Sequence, residues 1–303
     1  MAELGAAETL AALLTEGQRP ELMRIDLAST ADLVALMNAD DSSVPTAVAA
    51  AAPAIVAAID AITERLARGG RLIYIGAGTA GRIGMLDAVE CPPTFNTGAG
   101  EVVALLAGGD GAFRGAAEGA EDDVETAPRE LAALALTAAD AVVGVSASGR
   151  TPYVLAGIDY ARGRGSLTVG LACNPEAQLS EAVDFPIEVV VGPEFIAGST
   201  RLKAGTAQKL VLNTISTVAM IRLGKTYGDL MVEVAGTNEK LRARARRAVE
   251  LATGASPAAV EGALAAADGR AKVAIVSILA GVDARAAERR LEDAAGSVRE
   301  ALQ

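Results

Sequence analysis

The chain has 303 residues, 51% of them hydrophobic and 21% charged, with a formal net charge of -11. That is enough for one large domain with a substantial core plus an appendage, and too acidic for nucleic acid or an anionic membrane surface, which need clustered Lys and Arg. Histidine is absent and the only cysteines are Cys91 and Cys173, which excludes His-based triads, a four-ligand zinc site and a disulfide scaffold, and leaves carboxylates as the natural acid/base groups.

The N-terminus, MAELGAAETLAALLTEG, lacks the positive region of a signal peptide, and no run of about 18 uncharged apolar residues occurs. A cytoplasmic protein without a membrane span is expected. Residues 1 to 70 read as helical. Ser29-Thr30 caps a segment Ala31 to Asn38, and Pro45 opens a long helix to Arg68 that Gly69-Gly70 ends.

Next comes RLIYIGAGTAGRIGMLDAVE, from Arg71 to Glu90. It reads as a strand (Leu72 to Ile75), a glycine loop (Gly76, Gly78, Gly81) and a helix start, a turn suited to an anion because the N–H groups at a helix N-terminus carry partial positive charge. The spacing G-x-G-x-x-G also fits a dinucleotide loop, but the acidic residue about 20 positions on, Glu101, opens the next strand instead of ending it. No Lys-Ser or Lys-Thr follows, so it is not a nucleotide P-loop. A glycine turn with no ligand is the competing reading.

Further runs rich in Val, Leu and Ile follow at Glu101 to Ala107, Ala141 to Ser146, Ser166 to Ala172 and Ile187 to Val191. Helical stretches separate them, so the pattern predicts an α/β fold with an open, doubly wound, five-stranded parallel sheet. Ligands of such sheets bind beyond the carboxyl ends of the strands. The loop after the third strand, Ser146-Ala147-Ser148-Gly149-Arg150-Thr151, offers hydroxyl and backbone donors to a phosphate, although Ser148 or Thr151 could equally be a plain helix cap. A third loop, Glu194 to Gly205, adds Ser199, Thr200, Arg201 and Lys203. Helices are expected at Ala204 to Leu223 and Asp229 to Thr253, then three or four short ones from Ala258 to Gln303, with Asp283 and Ser297 as caps.

LIYIGAGTAGRIGMLDAVECPPTF (72–95), AAEGAEDD (116–123), SASGRTPYVLAG (146–157), GSTRLKAGTAQKLVLN (198–213) and TNEKL (237–241) together resemble the sugar isomerase (SIS) domain family, and within it the N-acetylmuramic acid 6-phosphate etherases. The likeness covers nearly the whole chain and is weakest in the first 40 residues. It implies an N-terminal helical segment (1–60), a SIS domain (61–224) and a C-terminal helical region (225–303).

It also implies cleavage of the D-lactyl ether of a phosphorylated amino sugar by elimination and hydration. No metal or cofactor is expected, and the implied assembly is a homodimer with the site near the interface. Glu90 and Glu121 are the catalytic carboxylates by this likeness, with Glu90 protonating the departing lactate and Glu121 handling the C2 proton. Glu118, three positions before Glu121, is the rival. Burial beside Met85 and Cys91-Pro92-Pro93 is expected to tune Glu90.

The substrate-binding set is Gly78, Thr79, Ser146, Ser148, Gly149, Arg150, Thr151, Ser199 and Lys203. Where the family commonly has Thr-Ser-Gly-Arg, this chain has Thr79-Ala80-Gly81-Arg82, one hydroxyl fewer. A hexose-phosphate aldose–ketose isomerase and a non-catalytic sugar-phosphate regulator are the alternative functions.

Overall fold

A computed structural model describes residues 13–115, 117–233 and 239–303. The helical reading of residues 1–12, Ala116 of the AAEGAEDD motif and the Thr237-Asn238 start of TNEKL lie outside the described residues. The chain divides into two compact units. One holds the described residues up to Ala88 together with Val102–Ile215; the other holds those of Val89–Glu101 and Ser216–Gln303.

The first unit is built on five parallel strands, β1 (Leu72–Gly76), β2 (Val102–Leu106), β3 (Ala141–Val145), β4 (Leu167–Ala172) and β5 (Phe185–Glu188), in the order β2-β1-β3-β4-β5. This is the expected α/β sheet. Strands β1, β3 and β4 are buried along their whole length, which is why they read as unbroken apolar runs without the alternation of a half-exposed sheet. Order reverses between β1 and β3, whose registers pair Leu72 with Ala141 and Gly76 with Val145. The loops leaving these two strands therefore flank the switch point at which such sheets bind ligands. The fifth strand lies two residues earlier than the Val-rich run at 187–191 suggested, and Asp184 anchors its start by accepting from the Thr168 N–H and hydroxyl at 2.9 and 2.8 Å.

Before the sheet come α1 (Thr30–Asp41), α2 (Val44–Ala50) and α3 (Ala52–Ala67). Ser29 caps α1 by accepting the Asp32 N–H, as the sequence indicates. The single long helix expected from Pro45 to Arg68 is instead two, broken at Ala51. Pro53 in the first turn of α3 lacks the N–H that an uninterrupted helix would need there, and its ring clashes with the carbonyl four residues back. Among the described residues no single helix is long and apolar enough to cross a membrane; residues 30–50 and 52–67 reach that length only as a pair bent by 58°.

Between the strands run α4 (Gly78–Phe95), the single turn α5 (Gly111–Arg114), α6 (Thr126–Ala133), α7 (Pro152–Gly163) and α8 (Gln178–Ala182). Ile73, Ile75 and Val142 of the sheet pack with Leu131 of α6 and with Tyr153 and Ile158 of α7. α9 (Lys203–Arg222) follows the sheet.

In the second unit, the helix expected from Asp229 to Thr253 is described over Glu239–Thr253, and its first residues are not helical. A small hairpin, β6 (Thr226–Tyr227) with β7 (Leu230–Met231), takes up residues 226–231, turning at Gly228 with φ +58°. Then come α10 (Glu239–Thr253), α11 (Pro257–Ala266), α12 (Ala271–Ala280), α13 (Ala284–Asp293) and α14 (Val298–Ala301). Asp283 and Ser297 cap the last two. Val249, Val260, Ile275, Val276 and Leu291 close a separate core.

Candidate active site

Three loops leave the carboxyl edge of the sheet, and each is shaped by a close approach. After β1, Gly76 and Gly81 are in near contact: a Cβ on Gly81 would stand 2.4 Å from the Gly76 carbonyl oxygen. Only glycine lets strand end and helix start meet so tightly. The third loop lies against the first, since a Cβ on Gly205 would be 3.4 Å from Thr79 Cγ2.

The second loop is a cluster of hydroxyls. Ser146, buried at 3% exposure, lies 2.8 Å from Thr151 Oγ1 and 3.3 Å from Ser148 Oγ. Its Oγ accepts the Gly149 N–H at 3.0 Å, and Ser148 Oγ accepts the Arg150 N–H at 3.2 Å. Five of the expected binding residues thus form one connected group at the start of α7. A phosphate there would accept from the same N–H and O–H groups.

Gly78 and Glu121 line one cavity of about 240 Å3, together with Arg82, Ala112 and Glu118. Glu118 and Glu121 thus line the same cavity, and the rivalry between them is not resolved by reach. Arg82 holds the cavity wall: its guanidinium donates to the Ala112 carbonyl at 3.1 and 2.7 Å and to the Gly115 carbonyl at 3.1 Å. The Thr-Ala-Gly-Arg motif pointed to this arginine only as a neighbour of the glycines.

Glu90 belongs to the second unit and Glu121 to the first. Glu90 sits on α4 one position before Cys91, where its carbonyl accepts from Thr94 Oγ1 at 2.7 Å. Its side chain is exposed, so the expected burial beside Met85 and Cys91 is not found in the single chain; Cys91 turns inward at 2% exposure instead. Helix α4 continues through Pro92 and Pro93. Neither proline has an N–H, so the carbonyls of Ala88 and Val89 lose their partners within the helix.

Lys203 is not solvated. It is buried, and its Nζ lies 3.0 Å from Asp40 Oδ1. Its backbone N–H and that of Ala204 donate to the two oxygens of Glu194, both at 2.9 Å. Glu194, 2% exposed, therefore supplies the anion at the positive end of α9, and burial raises its carboxyl above the ordinary range against the lowering effect of those N–H groups and Lys203. Sequence reading passed over Glu194 because nothing nearby in the chain marks it as a cap. Ser199 is half-buried in the turn before α9, where its carbonyl accepts from the Leu202 N–H. Cys173 is no nucleophile: burial, with the Glu194 charge adding, pushes its thiol up to about 12. Among the described residues no group of three His, Cys, Asp or Glu side chains converges as a metal site would require.

A parallel sheet of order 2-1-3-4-5, with a hydroxyl-lined loop and a glycine loop at its switch point, is the architecture of SIS-type sugar-phosphate domains. Residues 54–162 match the family model of the glucokinase regulatory protein N-terminal SIS domain. Over 293 residues the chain is 61% identical to an N-acetylmuramic acid 6-phosphate etherase of Streptomyces avermitilis, covering 97% of this chain and 94% of that protein. It is 59% identical to the etherase of Rubrobacter xylanophilus, covering 97% of each. A phosphoheptose isomerase structure from Neisseria gonorrhoeae superposes with a TM-score of 0.49 at 17% identity, over 63% of this chain and 98% of that one. The chain belongs to the N-acetylmuramic acid 6-phosphate etherase family.

Proposed function

We propose that the chain is an N-acetylmuramic acid 6-phosphate etherase, which cleaves the D-lactyl ether with water to give N-acetylglucosamine 6-phosphate and D-lactate. Near-full-length identity to etherases carries this reading. The ether at C3 is a poor leaving group, but in the open-chain sugar C2 lies next to an aldehyde and its proton is acidified. A base removes that proton, the C3–O bond breaks, and lactate leaves with a proton from an acid. Water then adds at C3 while C2 is reprotonated, so the net change is one water consumed.

Glu121, in the cavity with Gly78 and Arg82, takes the C2 proton. Glu90 protonates the departing lactate and then activates the water. Ser146, Ser148, Gly149, Arg150 and Thr151 hold the phosphate, with Gly78, Thr79, Ser199 and Lys203 completing the binding set. The assembly is a homodimer with the site near the interface, which gives the exposed Glu90 a second surface to be covered by, and the compartment is the cytoplasm.

The test is to incubate the protein with N-acetylmuramic acid 6-phosphate in deuterated water and follow lactate and the C2 proton by NMR. Lactate release with deuterium at C2 is expected. Glu121→Gln is expected to abolish both signals, whereas Glu90→Gln stops lactate release and leaves C2 exchange. Binding without either signal would make the chain a sensor or an isomerase of another substrate.

A further inference from the structure

The segment from Leu13 to Arg19 carries no motif of the site, yet it is tied to two of the three site loops. Thr15 is fully buried and Asn174, just past the end of β4, is 2% exposed. The Asn174 amide Nδ2 donates to Thr15 Oγ1 at 3.1 Å and to the carbonyl of Ala147, inside the hydroxyl loop, at 2.9 Å. Asn174 Oδ1 accepts the Thr15 N–H at 3.3 Å. The Thr15 carbonyl in turn accepts the N–H of Gly198 at 3.0 Å, at the start of the third loop.

Four residues on, Arg19 grips both oxygens of Asp40 at 2.8 and 3.1 Å. Asp40 is the residue that holds Lys203. Gly198 has φ +76°, and a Cβ on it would stand 2.4 Å from Glu16 Oε2, so segment and loop are fitted to each other. An apolar pair at 15 and 174 would fill the same space. A buried polar pair costs desolvation and is kept stable only by completing its bonds, which fixes the direction of each group it touches.

We propose that Thr15 and Asn174 are positioning residues, which set the Ala147 carbonyl and the Gly198 N–H and so hold the hydroxyl loop and the Ser199 loop in the spacing that a phosphorylated sugar requires. This rests on the assignment of those loops as the phosphate site under the proposed function. It gives the N-terminal segment a role in ligand affinity without any contact to the ligand.

Thr15→Val is nearly isosteric and removes the acceptor of the Asn174 amide. It is expected to raise KM and the inhibition constant of inorganic phosphate together by about fivefold, the equivalent of one lost hydrogen bond, with kcat changed less than about twofold. Thr15→Ser, which restores the hydroxyl, returns both constants toward the parent. Gly198→Ala disturbs the other tie of this segment, the Gly198 N–H to the Thr15 carbonyl, from the loop side, and reproduces the KM effect if Thr15→Val does not fold. Unchanged KM and phosphate inhibition in folded Thr15→Val and Gly198→Ala overturn the proposal, as does a fall in kcat alone.

If the parent releases no lactate, the etherase reading fails by itself. Phosphate affinity measured by calorimetry then decides: weaker binding in Thr15→Val supports the positioning role, whereas equal binding, or no binding by the parent, overturns it.

Discussion

Lys203 Nζ and Asp40 Oδ1 are 3.0 Å apart across 163 residues of sequence, with side chains 4% and 9% exposed. Arg19 closes on the same carboxylate from the other side. Removing one member of a buried charge cluster costs more than the cluster contributes, because the remaining charges lose their compensation. Asp40→Ala, which strands both Lys203 and Arg19, is expected to lose about 3–5 kcal/mol in urea unfolding. Lys203→Met keeps the Arg19–Asp40 pair and fills the same volume, and loses less.

Glu194 makes stability depend on pH in an unusual direction for a carboxylate at a helix start. Its folded value is raised by burial above the ordinary 4.5, so the folded chain holds this proton more tightly than the unfolded chain does. Its contribution is therefore greatest at acid pH and is lost as pH rises from 4.5 through the raised value. Glu194→Gln carries no charge in either state. Apart from a constant offset, its stability relative to the parent is expected to improve over that window, by about 1.4 kcal/mol per unit by which the folded value is raised. Urea unfolding of both proteins across the window checks the slope; parallel curves would refute it.

Ala80 is buried at 8% exposure in the first turn of α4, at the position where the resemblance to the etherase family implies a serine. Ala80→Ser is expected to lower KM for the phosphorylated sugar about fivefold, the equivalent of one hydrogen bond, with kcat little changed. An unchanged Michaelis constant would show that this position does not reach the ligand.

Gly149 combines φ +67° with a neighbour, Ala177 Cβ, only 2.4 Å from where its own Cβ would be. Gly149→Ala forces strain and displacement at once, and about 2–3 kcal/mol of lost stability is expected. Because its N–H is held by Ser146, the same change is expected to weaken phosphate inhibition; a variant that loses stability but inhibits as the parent does would separate the loop from the ligand.

Much of this was legible because it is local. Buried parallel strands announce themselves as Val, Leu and Ile runs, Ser29, Asp283 and Ser297 each cap from three residues away, and the serines of 146–151 fold onto their own loop. The two-residue strands of the 226–231 hairpin are too short for any periodicity. The break before Pro53 was hidden by the flanking alanines, which favour helix on both sides. Glu194 reaches a helix start nine residues on, and Asn174 meets Thr15 across 159 residues. Pairings of this kind are set by how the chain packs and leave no mark in local spacing.

The carboxylate of Glu194 also bears on where an external anion can settle. It fills from within the N-terminus of α9, whose first two N–H groups would otherwise be open to an anion. That helix start therefore offers an external anion no open N–H among its first two. The positive end of that helix is answered before any ligand arrives, by an anion the chain carries itself.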